Sequence, residues 1–141
     1  MKKNYLTQSS AETKKLGKLL ARELLKKKPK KRALVVGLEG DLGSGKTTFL
    51  QGFAKGVGAQ GRVLSPTFII MRRLNSFYHI DCYRLGKPKE LLILGFEKII
   101  SNPKNTVAVE WADKVKKILP KGTIFIKFSF VSQYKRKIVV I

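Results

Sequence analysis

The segment Gly40-Asp41-Leu42-Gly43-Ser44-Gly45-Lys46-Thr47-Thr48 gathers the residue types that handle phosphate. Its glycines permit backbone conformations and close approaches that a side chain would block. Consecutive backbone N–H groups can then converge on phosphate oxygens, aided by the positive end of a following helix. The pattern Gly40-x-x-x-x-Gly45-Lys46-Thr47 is a full Walker A match. In that arrangement the lysine bridges β- and γ-phosphate oxygens and the threonine hydroxyl ligates Mg²⁺. The chemistry it predicts is binding of a nucleoside triphosphate with magnesium.

Such a loop works with a carboxylate at the end of a neighbouring strand, holding the metal directly or through water. The chain has nine acidic residues to choose from. "TVAVEW" (106–111) ends a short apolar run on Glu110, where a buried carboxylate is costly without a cation or donor beside it. Glu110 is therefore the expected metal ligand, with Asp113 next in order. Trp111 could pack over the site, dock a partner or fill the core. In "HIDCYRL" (79–85), alternation puts His79, Asp81 and Tyr83 on one face and Ile80 and Cys82 on the other, as in a site wall or a half-exposed strand. "LSPTF" (64–68) is a proline-stiffened turn with two hydroxyls, open to a nucleotide-sensing role or to ordinary turn chemistry. No [NT]-K-x-D guanine-reading motif is present, which favours ATP. No insertion is long enough for the arginine-rich lid of a nucleotide kinase.

The elements that must position these residues follow from periodicity. Residues 9–28 read as an amphipathic helix with Leu16, Leu19, Leu20 and Leu24 on its apolar side and a Ser9/Glu12 capping box. "KKKPKKR" (26–32) ends it at Pro29 as a solvated connector or a contact for nucleic acid or a partner. Ala33–Glu39 reads as a buried parallel strand and Lys46–Val57 as a helix. Phe68–Leu74 and Phe77–Arg84 read as paired strands, Glu90–Ile100 as a helix, and Thr106–Glu110 as a strand followed by a short helix before Pro120. Thr123–Val131 and Arg136–Ile141 complete the strands. The expected fold is α/β: a P-loop NTPase-type three-layer sandwich, its central sheet largely parallel and mixed toward the C-terminal strands, in one domain spanning residues 1–141.

The composition narrows the partners. Thirty basic residues against nine acidic give a formal charge of +21, a field that attracts polyanions. Nucleic acid, an acidic protein or simple lysine bias are its readings. No apolar run approaches the roughly 20 residues of a membrane span, "MKKNYLTQSS" lacks the apolar stretch of a secretory signal, and Cys82 has no partner cysteine. A reducing, cytoplasmic location is expected. A small-molecule P-loop kinase and a basic, nucleotide-sensing RNA-binding module are the alternatives to an ATPase.

Taken together, "SAETKKLG", "GDLGSGKTTF", "SPTF", "YHIDCYRL", "LGFEKI", "VEWAD" and the "LP" at 119–120 resemble the TsaE (YjeE) family of small P-loop ATPases in bacterial tRNA threonylcarbamoyladenosine (t6A) synthesis. The resemblance implies slow intrinsic ATP hydrolysis, accelerated within a complex with a threonylcarbamoyl transferase subunit (TsaD-type) and its inactive homologue (TsaB-type). That complex modifies adenosine 37 of tRNAs reading codons that begin with A. By motif, Gly43, Ser44, Gly45, Lys46, Thr47 and Thr48 would hold phosphates, and Thr47 and Glu110 would hold Mg²⁺. Asp81 would act near the γ-phosphate, and Thr67 would belong to a switch-like loop. Ser10 to Thr13 and Arg136 would flank the adenosine. The segment after "YRL", usually acidic in the family, is "GKPKELLILGF" here.

Overall fold

The computed structural model describes residues 2–41, 43–61 and 70–141. Strand β1 (Lys3–Thr7) leads into helix α1 (Ser10–Lys26), then β2 (Leu34–Glu39), α2 (Lys46–Gly56), β3 (Met71–Leu74) and β4 (Phe77–Asp81). Two short helices, α3 (Lys89–Ile93) and α4 (Phe96–Ile100), precede β5 (Thr106–Glu110). A 3₁₀ segment (Ala112–Ile118) leads to β6 (Ile124–Phe130) and β7 (Arg136–Val140). The strands form one sheet in the order β1-β7-β6-β2-β5-β4-β3. β6, β2, β5 and β4 are mutually parallel; β3 pairs antiparallel with β4 on one edge, and on the other β7 pairs antiparallel with both β6 and β1, so β1 runs in the direction of the central strands.

Alternation along the strands builds two cores. Val36, Leu38, Ala108, Ile126 and Phe128 face α1 and α2, where Phe49, Leu50 and Phe53 meet them. Val35, Val107, Val109 and Ile80 face the other way, toward Leu91 of α3, Phe96 of α4 and Val115 of the 3₁₀ segment. The result is the expected three-layer α/β sandwich, with antiparallel pairs at both edges of the sheet rather than only among the last strands.

Helix α1 starts as its capping box requires: Ser9 Oγ accepts from Glu12 N–H at 3.1 Å, and Glu12 Oε1 accepts from Gln8 N–H at 2.9 Å. Its buried stripe is Thr13, Gly17, Leu20 and Ala21, while Leu19, expected on the apolar side, is exposed. The stripe holds small residues because α1 and α2 touch backbone to backbone. A Cβ on Gly17 would lie 2.2 Å from Phe49 O, and one on Gly52 would lie 1.8 Å from Lys14 O.

Other expectations shift at their ends. The helix expected over Glu90–Ile100 is two helices, parted at Gly95, whose φ of 85° cannot continue a right-handed turn. The strand expected over Phe77–Arg84 ends at Asp81, whose Oδ1 accepts from Tyr83 N–H at 2.9 Å and turns the chain. Strand alternation therefore no longer assigns Tyr83 to the face that His79 and Asp81 share. The segment "SPTF" with Thr67, and the first residues of the strand expected from Phe68, lie outside the described residues.

Candidate functional site

The parallel strands all end at the same pole. β2 delivers Glu39 and then the glycine loop, β5 delivers Glu110, and β4 delivers Asp81. The register pairs Leu38 with Glu110 and Glu110 with Asp81. Because side chains alternate, Glu110, Asp81 and His79 stand on the side of the sheet that carries α2.

The loop has the backbone of a phosphate cradle. Gly40, Gly43 and Gly45 have φ of 149°, 79° and 100°, in the left-handed half of the map. A Cβ on Gly40 would strike Phe128 O at 2.7 Å and Ser44 Oγ at 2.8 Å, whereas one on Gly43 would meet nothing within 4 Å among the described residues. Ser44 is buried, yet its hydroxyl has no partner among the described residues. A polar atom left in that state costs free energy until something bonds it. Lys46 opens α2 and folds back over the loop, donating to Gly40 O and, at 2.9 Å, to Asp41 O. Its ammonium lies 4.5 Å from the Trp111 ring centroid. Burial pushes the Lys46 pKa down, and the carboxylates of Glu110, Asp41, Asp81 and Asp113 partly offset it. Thr47 and Thr48 follow on the first turn, half-buried.

Glu110 is almost fully buried and held by a neighbour. His79 Nε2 donates to Glu110 Oε2 at 2.6 Å, with both side chains at 5% exposure or less. A carboxylate can only accept, so the ring proton sits on Nε2. This contact supplies the donor that a carboxylate ending a buried strand requires, and it fixes the direction in which Glu110 points. The sequence placed His79 on the site face but gave it no task. Its spacing from Asp81, two residues on a strand beside β5, was the available signal.

Trp111 follows with φ of 57°, a left-handed conformation that costs a non-glycine residue about 1–2 kcal/mol. That turn brings its half-exposed ring against Tyr83, with centroids 5.0 Å apart, and under Lys46. Asp113, the runner-up to Glu110, is exposed in the 3₁₀ segment. Cys82 faces the opposite core, where burial pushes its thiol up to about 12, so it packs rather than reacts.

The residues expected around an adenosine fall on the far side of the same loop. Thr7 pairs with Arg136 across β1 and β7, and a Cβ on Gly45 would meet the Arg136 side chain at 3.4 Å. Arg136 Nη1 donates to Ser132 O at 2.7 Å and Lys135 O at 2.9 Å, with its guanidinium 4.9 Å from the Phe130 ring. Ser10 is exposed at the start of α1. Thr13 is buried, its hydroxyl 2.7 Å from that of Thr7 and 3.2 Å from Ser9 O. Thr13 thus ties β1 to α1, and Ser10 and Arg136 are the more accessible of the three. Phe130, 63% exposed beside Arg136, is an aromatic that the sequence did not single out.

The family model for threonylcarbamoyl adenosine biosynthesis protein TsaE matches residues 7–138. The chain belongs to the TsaE family. Among curated TsaE proteins, that of Haemophilus influenzae is 38% identical over 112 residues, covering 77% of this chain and 70% of its own. TsaE of Rickettsia felis is 37% identical over 130 residues, covering 89% and 71%. Both carry the name tRNA threonylcarbamoyladenosine biosynthesis protein. The crystal structure of Bacillus subtilis YdiB superposes with a TM-score of 0.75 at 30% identity, over 99% of this chain and 84% of that one. No described helix of this TsaE-family chain is long and apolar enough to cross a membrane.

Asp81 has a testable electrostatic signature. Its pKa is raised above the ordinary 3.8, first by burial; the Tyr83 N–H opposes the rise and the Glu110 charge adds to it. A carboxyl that holds its proton more tightly when folded subtracts stability as the pH climbs past 3.8 and it ionises. Asp81→Asn keeps the acceptor for Tyr83 N–H and removes the charge. Thermal denaturation is expected to give the variant a higher Tm than wild type at neutral pH and an equal Tm below about pH 4. Equal Tm values across the range would mean that Asp81 bears no ionisation penalty.

Proposed function

We propose that the chain is the magnesium-dependent, ATP-binding and ATP-hydrolysing subunit required for threonylcarbamoylation of adenosine 37 in tRNAs reading codons that begin with A. It acts with a TsaD-type transferase subunit and its TsaB-type partner, in the cytoplasm. The observation carrying this reading is the arrangement of Lys46, Thr47 and the His79-held Glu110 around one glycine cradle, in a chain of the TsaE family.

The residues present fit a magnesium nucleotide. Mg²⁺ accepts one or two protein oxygens and takes the rest of its shell from phosphates and water. Thr47 and Glu110 offer such a pair, and among the described residues the Ser44 hydroxyl has no partner and Gly43 no neighbour, which leaves the cradle able to accept phosphate oxygens. Bound there, the metal would neutralise charge on the β- and γ-phosphates. Lys46 exchanges its loop carbonyls for phosphate oxygens and stabilises the negative charge that develops during transfer. Loop amides and the α2 N-terminus act on the same charge. His79 keeps Glu110 oriented throughout. Asp81, on the strand beside Glu110, would orient the attacking water, and Ser10, Thr13 and Arg136 would flank the adenosine, Thr13 through its tie to Thr7. Thr67, outside the described residues, would belong to a switch-like segment, as the family resemblance implies.

Phosphate release under a magnesium titration tests the metal assignment. Wild type is expected to hydrolyse ATP slowly and to stop when magnesium is chelated, and Glu110→Ala is expected to show no turnover above background. Near-normal turnover in purified Glu110→Ala would remove Glu110 from the metal site.

A further inference from the structure

The charge of this chain is sorted in space as well as being large. Five of its nine acids, Glu39, Asp41, Asp81, Glu110 and Asp113, cluster at the pole where the parallel strands end. The opposite pole is made by the three segments that enter β2, β5 and β6. Between Glu23 and Glu39 the chain has Lys26, Lys27, Lys28, Lys30, Lys31 and Arg32 and no acid. After Asp113 it has no acid at all.

These segments are fastened to one another by cations donating to carbonyls. Lys28 Nζ donates to Pro103 O at 3.3 Å, joining the α1–β2 segment to the turn before β5. Arg32 donates to Lys121 O at 2.5 Å and Ala33 O at 3.0 Å, joining it to the turn before β6. Ala33 N–H donates to Ile100 O at 2.8 Å. Lys27, Lys28, Lys30, Lys31, Lys104 and Lys121 are all exposed on the resulting surface. Among the described residues none of them forms an ion pair with a carboxylate, unlike Lys3 with Glu23 and Lys127 with Glu39. Lysine bias alone scatters positive charge, whereas here it converges from three loops while five of the nine acids gather at the other end.

We infer that this basic pole binds the phosphate backbone of folded RNA without reading its bases, and that the nucleotide site faces away from that RNA. Lysines are point charges suited to phosphate and carry no base-reading geometry. Single-stranded RNA is held by stacking on aromatic side chains. Among the described residues the large exposed aromatics, Tyr83 just after β4 and Phe130 and Tyr134 on the β6–β7 hairpin, lie at the ends of the strands far from this pole. A paired RNA segment, whose outer surface is phosphate, is the matching shape. The choice of RNA over another polyanion rests on the tRNA-modification reading above.

The test measures anisotropy of a labelled, unmodified tRNA transcript, without nucleotide, across a salt series. Four proteins are compared: wild type; a pole variant with Lys28, Lys30, Lys31 and Lys121 changed to Gln; the same four changed to Arg; and a control with Lys15, Lys87, Lys127 and Lys137 changed to Gln. The pole variant is expected to lose about three from the magnitude of the log–log salt slope and at least tenfold in affinity at about 0.1 M salt. The Arg variant is expected to bind like wild type and the control to stay within about threefold of it. Equal weakening of the pole variant and the control would overturn the inference, since charge would then act diffusely. So would wild-type protein that ignores tRNA but binds polyglutamate or vesicles rich in phosphatidylserine. ATP hydrolysis in the pole variant is expected to be unchanged. Loss of hydrolysis in wild type with the slope result intact would defeat the ATPase reading and leave this one standing.

Discussion

Lys46→Ala is expected to lower ATP hydrolysis by about 10²- to 10³-fold, or about 2.7–4 kcal/mol, with the fold intact. The magnitude follows from where the ammonium sits. It is nearly buried, over the Trp111 ring, on a loop whose carbonyls hold it in place. Charge delivered into a site with little water acts through a low effective dielectric, and a preorganised donor costs no rearrangement when the reaction begins. Lys46→Arg is expected to lose nearly as much, because a planar fork cannot occupy the point position of an ammonium between two carbonyls. Phosphate release at saturating ATP, together with circular dichroism, checks both variants. Turnover within about threefold of wild type in folded Lys46→Ala would show that this loop is not where the phosphates react.

Gly52→Ala is expected to destabilise the protein by about 3 kcal/mol, a drop of roughly 10 °C in Tm for a chain of this size. A methyl at Gly52 would sit 1.8 Å from Lys14 O, which is backbone of a helix already pressed against α2. Neither side can yield by rotating a side chain. Relief requires α1 to move away from α2, carrying with it the Thr13–Thr7 tie beside the Arg136 wall of the site. Gly43→Ala is the informative control, since its methyl would meet none of the described residues and its cost is the strain of a φ of 79°, about 1 kcal/mol. Thermal melts of the two variants should therefore separate clearly. Similar Tm values would mean that the α1–α2 contact is looser than the backbone positions imply.

The glycine-rich turn before α2 and the buried carboxylate that ends β5 were legible in the sequence because both depend on local pattern. Glycine spacing sets the backbone, and a short apolar run ending in an acid marks a strand reaching the edge of the core. Thr106–Glu110 fell where periodicity put it. Strand β1 was missed because it lies on an edge: of its five residues only Thr7 is buried, so no alternating apolar signal exists to read. The break in the 90–100 helix turned on one glycine inside an otherwise helical pattern, which propensity alone treats as tolerable. Leu19 kept helical spacing yet faces solvent, because α2 approaches α1 along the Gly17 side.

What escaped the sequence at the site was pairing between distant segments. His79 and Glu110 are 31 residues apart, and only the parallel register of β4 beside β5 brings them within 2.6 Å. The basic pole is of the same kind. "KKKPKKR" alone reads equally well as a connector, and it becomes part of a surface only when Lys104 and Lys121 arrive beside it from other loops.

The most direct test of the central claim is t6A formation in unmodified tRNA, counted per transferase, with the TsaD-type and TsaB-type subunits, threonylcarbamoyl donor and ATP supplied. With wild-type protein present, modified adenosine is expected to accumulate well beyond one per transferase. With Glu110→Gln, or with this chain omitted, accumulation is expected to stop at about one, since each cycle would lack the hydrolysis that resets the complex. Multiple turnover that proceeds equally well without this chain would contradict the account.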